Sequence, residues 1–128
     1  MNILVDTSVW IEYFRGKPGY FSLCQGLLEK SQIKTLEVIF GELLQGALNK
    51  KESEILQSYY EYLPKINIAD LAIFAGEYSR QHKLIGKGIG LIDSIIIVAA
   101  LETNCKLWTL DKKLQNFIPD KFRFIPVF

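Results

Sequence analysis

Ile3-Leu4-Val5-Asp6-Thr7-Ser8-Val9-Trp10 reads as a strand that turns directly into a helix. Three consecutive apolar residues make a short strand with no polar face, and Asp6-Thr7-Ser8 supplies the small oxygen-bearing side chains that suit a turn and a helix N-cap. Beyond it, Val9, Trp10, Tyr13 and Phe14 fall at three- and four-residue spacings, Arg15-Gly16 supplies a stop, and Pro18-Gly19 reads as a turn. A strand that is apolar on both sides is covered on both faces, as in a parallel sheet between helices.

The rest of the chain repeats that alternation. Phe21, Cys24, Leu27 and Leu28 have helical spacing, residues 33–36 read as a second strand, and residues 38–48 as a helix. Residues 52–63 predict a helix broken at Pro64, residues 66–68 a brief strand, and residues 69–82 a helix with Leu71, Phe74, Ala75 and Tyr78 on its apolar face. Three glycines within residues 86–90 read as a loop. Then come an apolar helix over 91–104, a strand over 106–110, a short helix over 112–117, a turn at Pro119 and a last strand over 124–127. The expectation is one domain over residues 1–128: an α/β three-layer sandwich with a mostly parallel central sheet and helices on both faces.

Composition narrows the function. The 128 residues are 49% apolar and 23% charged, with a net charge of +1, so no bulk field draws the chain to nucleic acid or anionic lipid. A polyanion must be held by local patches. The longest apolar run, Ile95 to Leu101, spans seven residues, against roughly 18 for a membrane span, and the chain reads as cytoplasmic with no membrane partner. Cys24 and Cys105, 81 positions apart and in apolar surroundings, read as reduced buried thiols.

In parallel α/β folds ligands bind beyond the carboxyl ends of the strands, and three acids fall there or at the next helix start. Asp6 closes the first strand, Asp93 opens the apolar helix, and Asp111 closes the strand over 106–110. Glu42 lies inside an otherwise apolar helix, where an uncompensated carboxylate is costly. Hard oxygen ligands of one sign are what Mg²⁺ or Mn²⁺ requires. Each acid also has a plain alternative: Asp6 and Asp93 as helix caps, Asp111 as a turn residue, while Asp70 and Asp120 read as turn or cap residues only. Capping does not account for Glu42 in mid-helix. With one histidine and no Ser-His-Asp order, nucleophilic or histidine-based catalysis has nothing to build from. His82 reads as a helix C-terminal charge, Glu12 as solvated, and the glycine loop as a hinge, since it lacks the phosphate-loop patterns.

The stretches ILVDTSVWIEYFRG (3–16), FGELLQGAL (40–48), GLIDSIIIVAAL (90–101) and LWTLDKKL (107–114) resemble, in order and spacing, the motifs of PIN-domain ribonucleases, most of all the VapC-type toxins of bacterial toxin–antitoxin pairs. The resemblance implies an Mg²⁺- or Mn²⁺-dependent endoribonuclease with Asp6, Glu42, Asp93 and Asp111 around the metal, assisted by the polar Thr7 and Ser8. It further implies an RNA substrate, an antitoxin partner, and a homodimer or a hetero-oligomer with that antitoxin. Ile97 and Val98 stand where the family often has alanine, and Leu114 where it has an aromatic residue. Lys87, Lys112 and Lys113 flank Asp93 and Asp111 and are candidate contacts to the RNA backbone. Tyr59, Tyr60 and Tyr62 are too many aromatics for a solvated helix and read as packing or a protein interface. A PIN nuclease without an antitoxin, a phosphoacceptor receiver domain and a catalytically silent RNA-binding module are the other functions considered. The receiver reading lacks its adjacent acids and its lysine at the end of the last core strand.

Overall fold

The computed structural model describes residues 1–128. Its sheet has three parallel strands in the order β2-β1-β3, formed by Ile3–Val5 (β1), Ile33–Lys34 (β2) and Lys106–Trp108 (β3). Ile3 lies opposite Ile33 on one side and Lys106 on the other, and Val5 opposite Trp108. All three β1 residues have no exposed surface, as expected for a central strand covered on both faces. Because the strands are parallel, Asp6, Thr35 and Thr109 emerge at one end of the sheet.

The helices are Thr7–Phe14 (α1), Pro18–Glu29 (α2), Glu37–Gln45 (α3), Lys50–Tyr62 (α4), Leu71–His82 (α5), Leu91–Thr103 (α6) and Lys112–Phe117 (α7). Together with the sheet they enclose one cluster of 29 buried apolar residues. Helix α6 is buried continuously from Ser94 to Ala100, so its lack of a polar stripe follows from its central place. No helix is long and apolar enough to cross a membrane.

Several expectations give way at element ends. Pro18-Gly19 does not turn the chain: Pro18 occupies the first helical position of α2, where its missing N–H costs nothing. The strands expected over 66–68 and 124–127 do not form; a single bridge stands just before each, Thr35 with Lys65 and Leu107 with Arg123. Pro64 and Pro126 flank them, and a proline cannot extend a ladder through its nitrogen. Phe74 is exposed together with Ile73, while Leu71, Ala75 and Tyr78 face inward. The glycine stretch is partly ordered, with a 3₁₀ turn over Ile85–Lys87 ending at Gly88 in the left-handed region (φ +79°). Cys24 and Cys105 are buried free thiols, as expected.

Candidate active site

At the carboxyl end of the sheet, β1 delivers Asp6, 5% exposed. Asp6 stands at the N-cap position of α1, yet its side chain accepts nothing from that helix's backbone. Its Oδ2 instead accepts from Ser8 Oγ at 2.9 Å and Thr109 Oγ1 at 2.7 Å. The capping alternative for Asp6 is therefore not what the side chain does.

Helix α3 presents Glu42 to the amino end of α1, where Thr7 Oγ1 donates to Glu42 Oε1 at 2.8 Å. This bond compensates a half-buried carboxylate inside an apolar helix. The two residues also line a groove of about 470 Å³ between α1, α3 and α4, bounded by Ile11, Phe14, Leu43 and Leu56.

Asp93, half-buried in the first turn of α6, makes no cap bond either. Burial, followed by the charges of Asp6, Asp111 and Glu42, pushes its carboxyl up to about 6, with Lys113 acting in the opposite sense. The three acids from β1, α3 and the β3–α7 turn thus converge electrostatically on the fourth. Perturbation of that kind, from burial plus named like charges, is characteristic of functional sites.

Asp111 behaves differently. The strand ends at Trp108 rather than running to residue 110, and Asp111 caps α7 by accepting from the N–H groups of Lys113 (2.8 Å) and Leu114 (3.4 Å). Leu114 is fully buried. Among these carboxylates no three are gathered into a ready cage for one ion. Glu42 and Asp111 are each turned onto a protein donor. The donor set nevertheless has the right chemistry for a hard divalent cation: carboxylate oxygens alone, with no thiolate or imidazole among them.

Of the lysines, Lys113 extends over Gly88, where a Cβ would meet its side chain at 3.1 Å, and its Nζ donates to the Gly88 carbonyl at 3.3 Å. Lys87 donates to the His82 carbonyl at 2.6 Å and lies over the Phe117 ring. Lys112 is exposed. His82 packs at a tilt on Tyr78, with ring centroids 4.1 Å apart, and belongs to no group of metal-ligating side chains. Glu12, expected to be solvated, is instead half-buried and paired with Arg15 and Lys17. Tyr59 and Tyr60 pack against Tyr13, Phe14 and Phe40, while Tyr62 is exposed. Thr109 is the residue that sequence reasoning missed. Its signal was present in the polar residue two positions before Asp111, at a strand end.

The chain belongs to the PIN-domain family, whose model matches residues 3–117. More particularly, it is 34% identical over 103 residues to Ribonuclease VapC11 of Mycobacterium tuberculosis (strain ATCC 25618 / H37Rv), covering 76% of each chain. Ribonuclease VapC32 of the same strain is 28% identical over 116 residues, covering 88% of this chain and 87% of the relative. The fold is shared with the toxin–antitoxin complex from Klebsiella pneumoniae (TM-score 0.74, 22% identity, 98% of each chain). It is also shared with VapBC2 from Rickettsia felis bound to a DNA fragment from their promoter (TM-score 0.70, 21% identity, 91% and 92% of the two chains).

Proposed function

We propose that this chain is an endoribonuclease that hydrolyses RNA phosphodiester bonds with Mg²⁺ or Mn²⁺, and that it is the toxin of a toxin–antitoxin pair. The observation that carries the site is a half-buried Asp93 at the carboxyl end of the sheet whose carboxyl is pushed up to about 6 by burial and then by the charges of Asp6, Asp111 and Glu42. The names of its VapC relatives support the activity, and the complexes that share its fold support the antitoxin.

Asp6, Glu42, Asp93 and Asp111 would hold the cation. The chemistry such an ion would supply there is acidification of a water and neutralisation of charge on the scissile phosphate. Asp6 has Oδ2 saturated by two hydroxyls and Oδ1 without a protein donor, so it offers one oriented oxygen. Thr7 aims Glu42 by donating to Oε1. Lys112 and Lys113, both exposed and next to Asp111 in the chain, would give an RNA backbone a cationic rim.

The test is cleavage of total bacterial RNA by purified protein in Mn²⁺ and in chelator. Asp6→Asn and Asp93→Asn are expected to lose on the order of 10²-fold or more in rate while staying folded. Near-parental cleavage by either variant would overturn the assignment. Expression in bacteria should arrest growth, and Asp6→Asn should relieve the arrest. An arrest that survives the substitution would detach toxicity from catalysis.

A further inference from the structure

Thr109 is none of the four acids, yet it touches two of the segments that carry them. It follows β3 directly and is 3% exposed. Its Oγ1 donates to Asp6 Oδ2 at 2.7 Å and accepts from the Asp111 N–H at 3.1 Å. A hydroxyl has one proton and two lone pairs, so the proton goes to the carboxylate and a lone pair takes the amide.

Ser8 repeats the pattern: its Oγ donates to the same Oδ2 at 2.9 Å and accepts from the Leu110 N–H at 3.0 Å. Two hydroxyls therefore hold one carboxylate oxygen and, at the same time, two consecutive amides of the turn leading to Asp111. The turn is pinned further by the Asp6 N–H donating to the Trp108 carbonyl (2.9 Å) and by Gln115 Nε2 donating to the Thr109 carbonyl (2.7 Å).

A buried threonine after a strand is ordinarily a satisfied core hydroxyl. Two helix hydroxyls bond to carbonyls one turn back, Ser94 to Gly90 and Thr103 to Ala99, and Thr35, at the corresponding end of β2, bonds to nothing. Thr109 gives its proton to a carboxylate 103 positions away instead.

We infer that Thr109 is a positioning residue for the carboxylate site: its hydroxyl orients the Asp6 carboxylate, keeping Oδ1 as the cation-binding oxygen, and ties to that carboxylate the turn that presents Asp111. This rests on Asp6 being a cation ligand, as proposed above. Partners that orient metal ligands act chiefly on affinity, because without them the ligand is retained but no longer held in place.

Thr109→Val keeps the shape and removes the hydroxyl, whereas Thr109→Ser keeps the hydroxyl. In calorimetric titration of Mn²⁺ into metal-stripped protein without RNA, Thr109→Val is expected to bind about 10- to 100-fold more weakly, and Thr109→Ser within about 3-fold of the parent. The Mn²⁺ concentration for half-maximal cleavage of total RNA should rise in parallel, with a smaller fall in the rate at saturating Mn²⁺. Parental Mn²⁺ affinity in Thr109→Val, or equal weakening in both variants, overturns the inference. Melting in chelator establishes that each variant is folded. If Thr109→Val does not fold, Ser8→Ala probes the same clamp from its other side, and unchanged Mn²⁺ affinity there overturns the inference as well. Parental Mn²⁺ binding by Asp6→Asn would instead place the failure in the reading of Asp6 as a ligand.

Discussion

Helix α1 joins two regions of opposite character. Its first turn, with Thr7 and Ser8, belongs to the carboxylate site, and its next turns insert Trp10, Tyr13 and Phe14 into an aromatic cluster with Phe21, Phe40 and Tyr59. In that cluster every added ring removes apolar surface from water and gains edge or stacking contacts. Its one hydrogen-bond chain, Gln25 to Tyr13 to Tyr59, is closed at 2.7 Å per link. At the carboxylate end each added acid raises the cost of ionising the next, as the position of Asp93 records. One end of a single helix is built for stability and the other against it, and the aromatic end holds the acidic end in place.

The largest effect is expected at Trp10, fully buried within the aromatic cluster. Trp10→Ala is expected to cost about 3–5 kcal/mol, read from denaturant unfolding. Trp10→Phe should cost far less, because the indole N–H of Trp10 is buried without a partner and its removal relieves that penalty. Equal losses for both variants would show that ring volume alone matters there.

Asp93 tests the acidic end. Its folded carboxyl titrates at about 6, above the ordinary 3.8. Below 3.8 it is protonated in both states and costs nothing. As pH rises the unfolded chain ionises first, so the destabilisation builds up and is complete above about 6. In chelator at neutral pH, Asp93→Asn should therefore be the more stable protein, by about 1–2 kcal/mol after allowing for the group's partial exposure. Its melting advantage should close as pH falls toward 4, within the same window. Millimolar Mn²⁺ should raise the melting temperature of the parent and much less that of the variant. A variant less stable than the parent in chelator would return Asp93 to a purely structural role.

The smallest effects separate the two roles of Asp111. Asparagine is as good an N-cap as aspartate, so Asp111→Asn should keep parental stability and lose cleavage, though less than Asp6→Asn or Asp93→Asn. Asp111→Ala should in addition lose about 1 kcal/mol with the cap. Stability curves and RNA cleavage of the same preparations check both, and unchanged cleavage by Asp111→Asn would leave the residue a cap alone.

Local chemistry made a large part of this readable from the sequence. An apolar run ending in Asp6 announces a doubly covered strand and an acid at its carboxyl end, and the spacing of Val9, Trp10, Tyr13 and Phe14 announces the helix after it, because both depend on neighbours along the chain. Glu42 stood out for the same reason, as a charge in an apolar helical run. Residues 66–68 and 124–127 form no strand because an alternating or apolar segment becomes one only if a neighbour's ladder accepts it, and here the pairing stops at a single bridge just before each, at Lys65 and Arg123. Which acid is strained, which one caps a helix, and which hydroxyl holds Asp6 could not be read locally. Thr109 and Asp6 are 103 positions apart, and the load on Asp93 comes from its burial and then from acids on three other segments. Desolvation and Coulomb repulsion depend on distance through space, and only the parallel stacking of β2, β1 and β3 brings those segments to one end of the sheet.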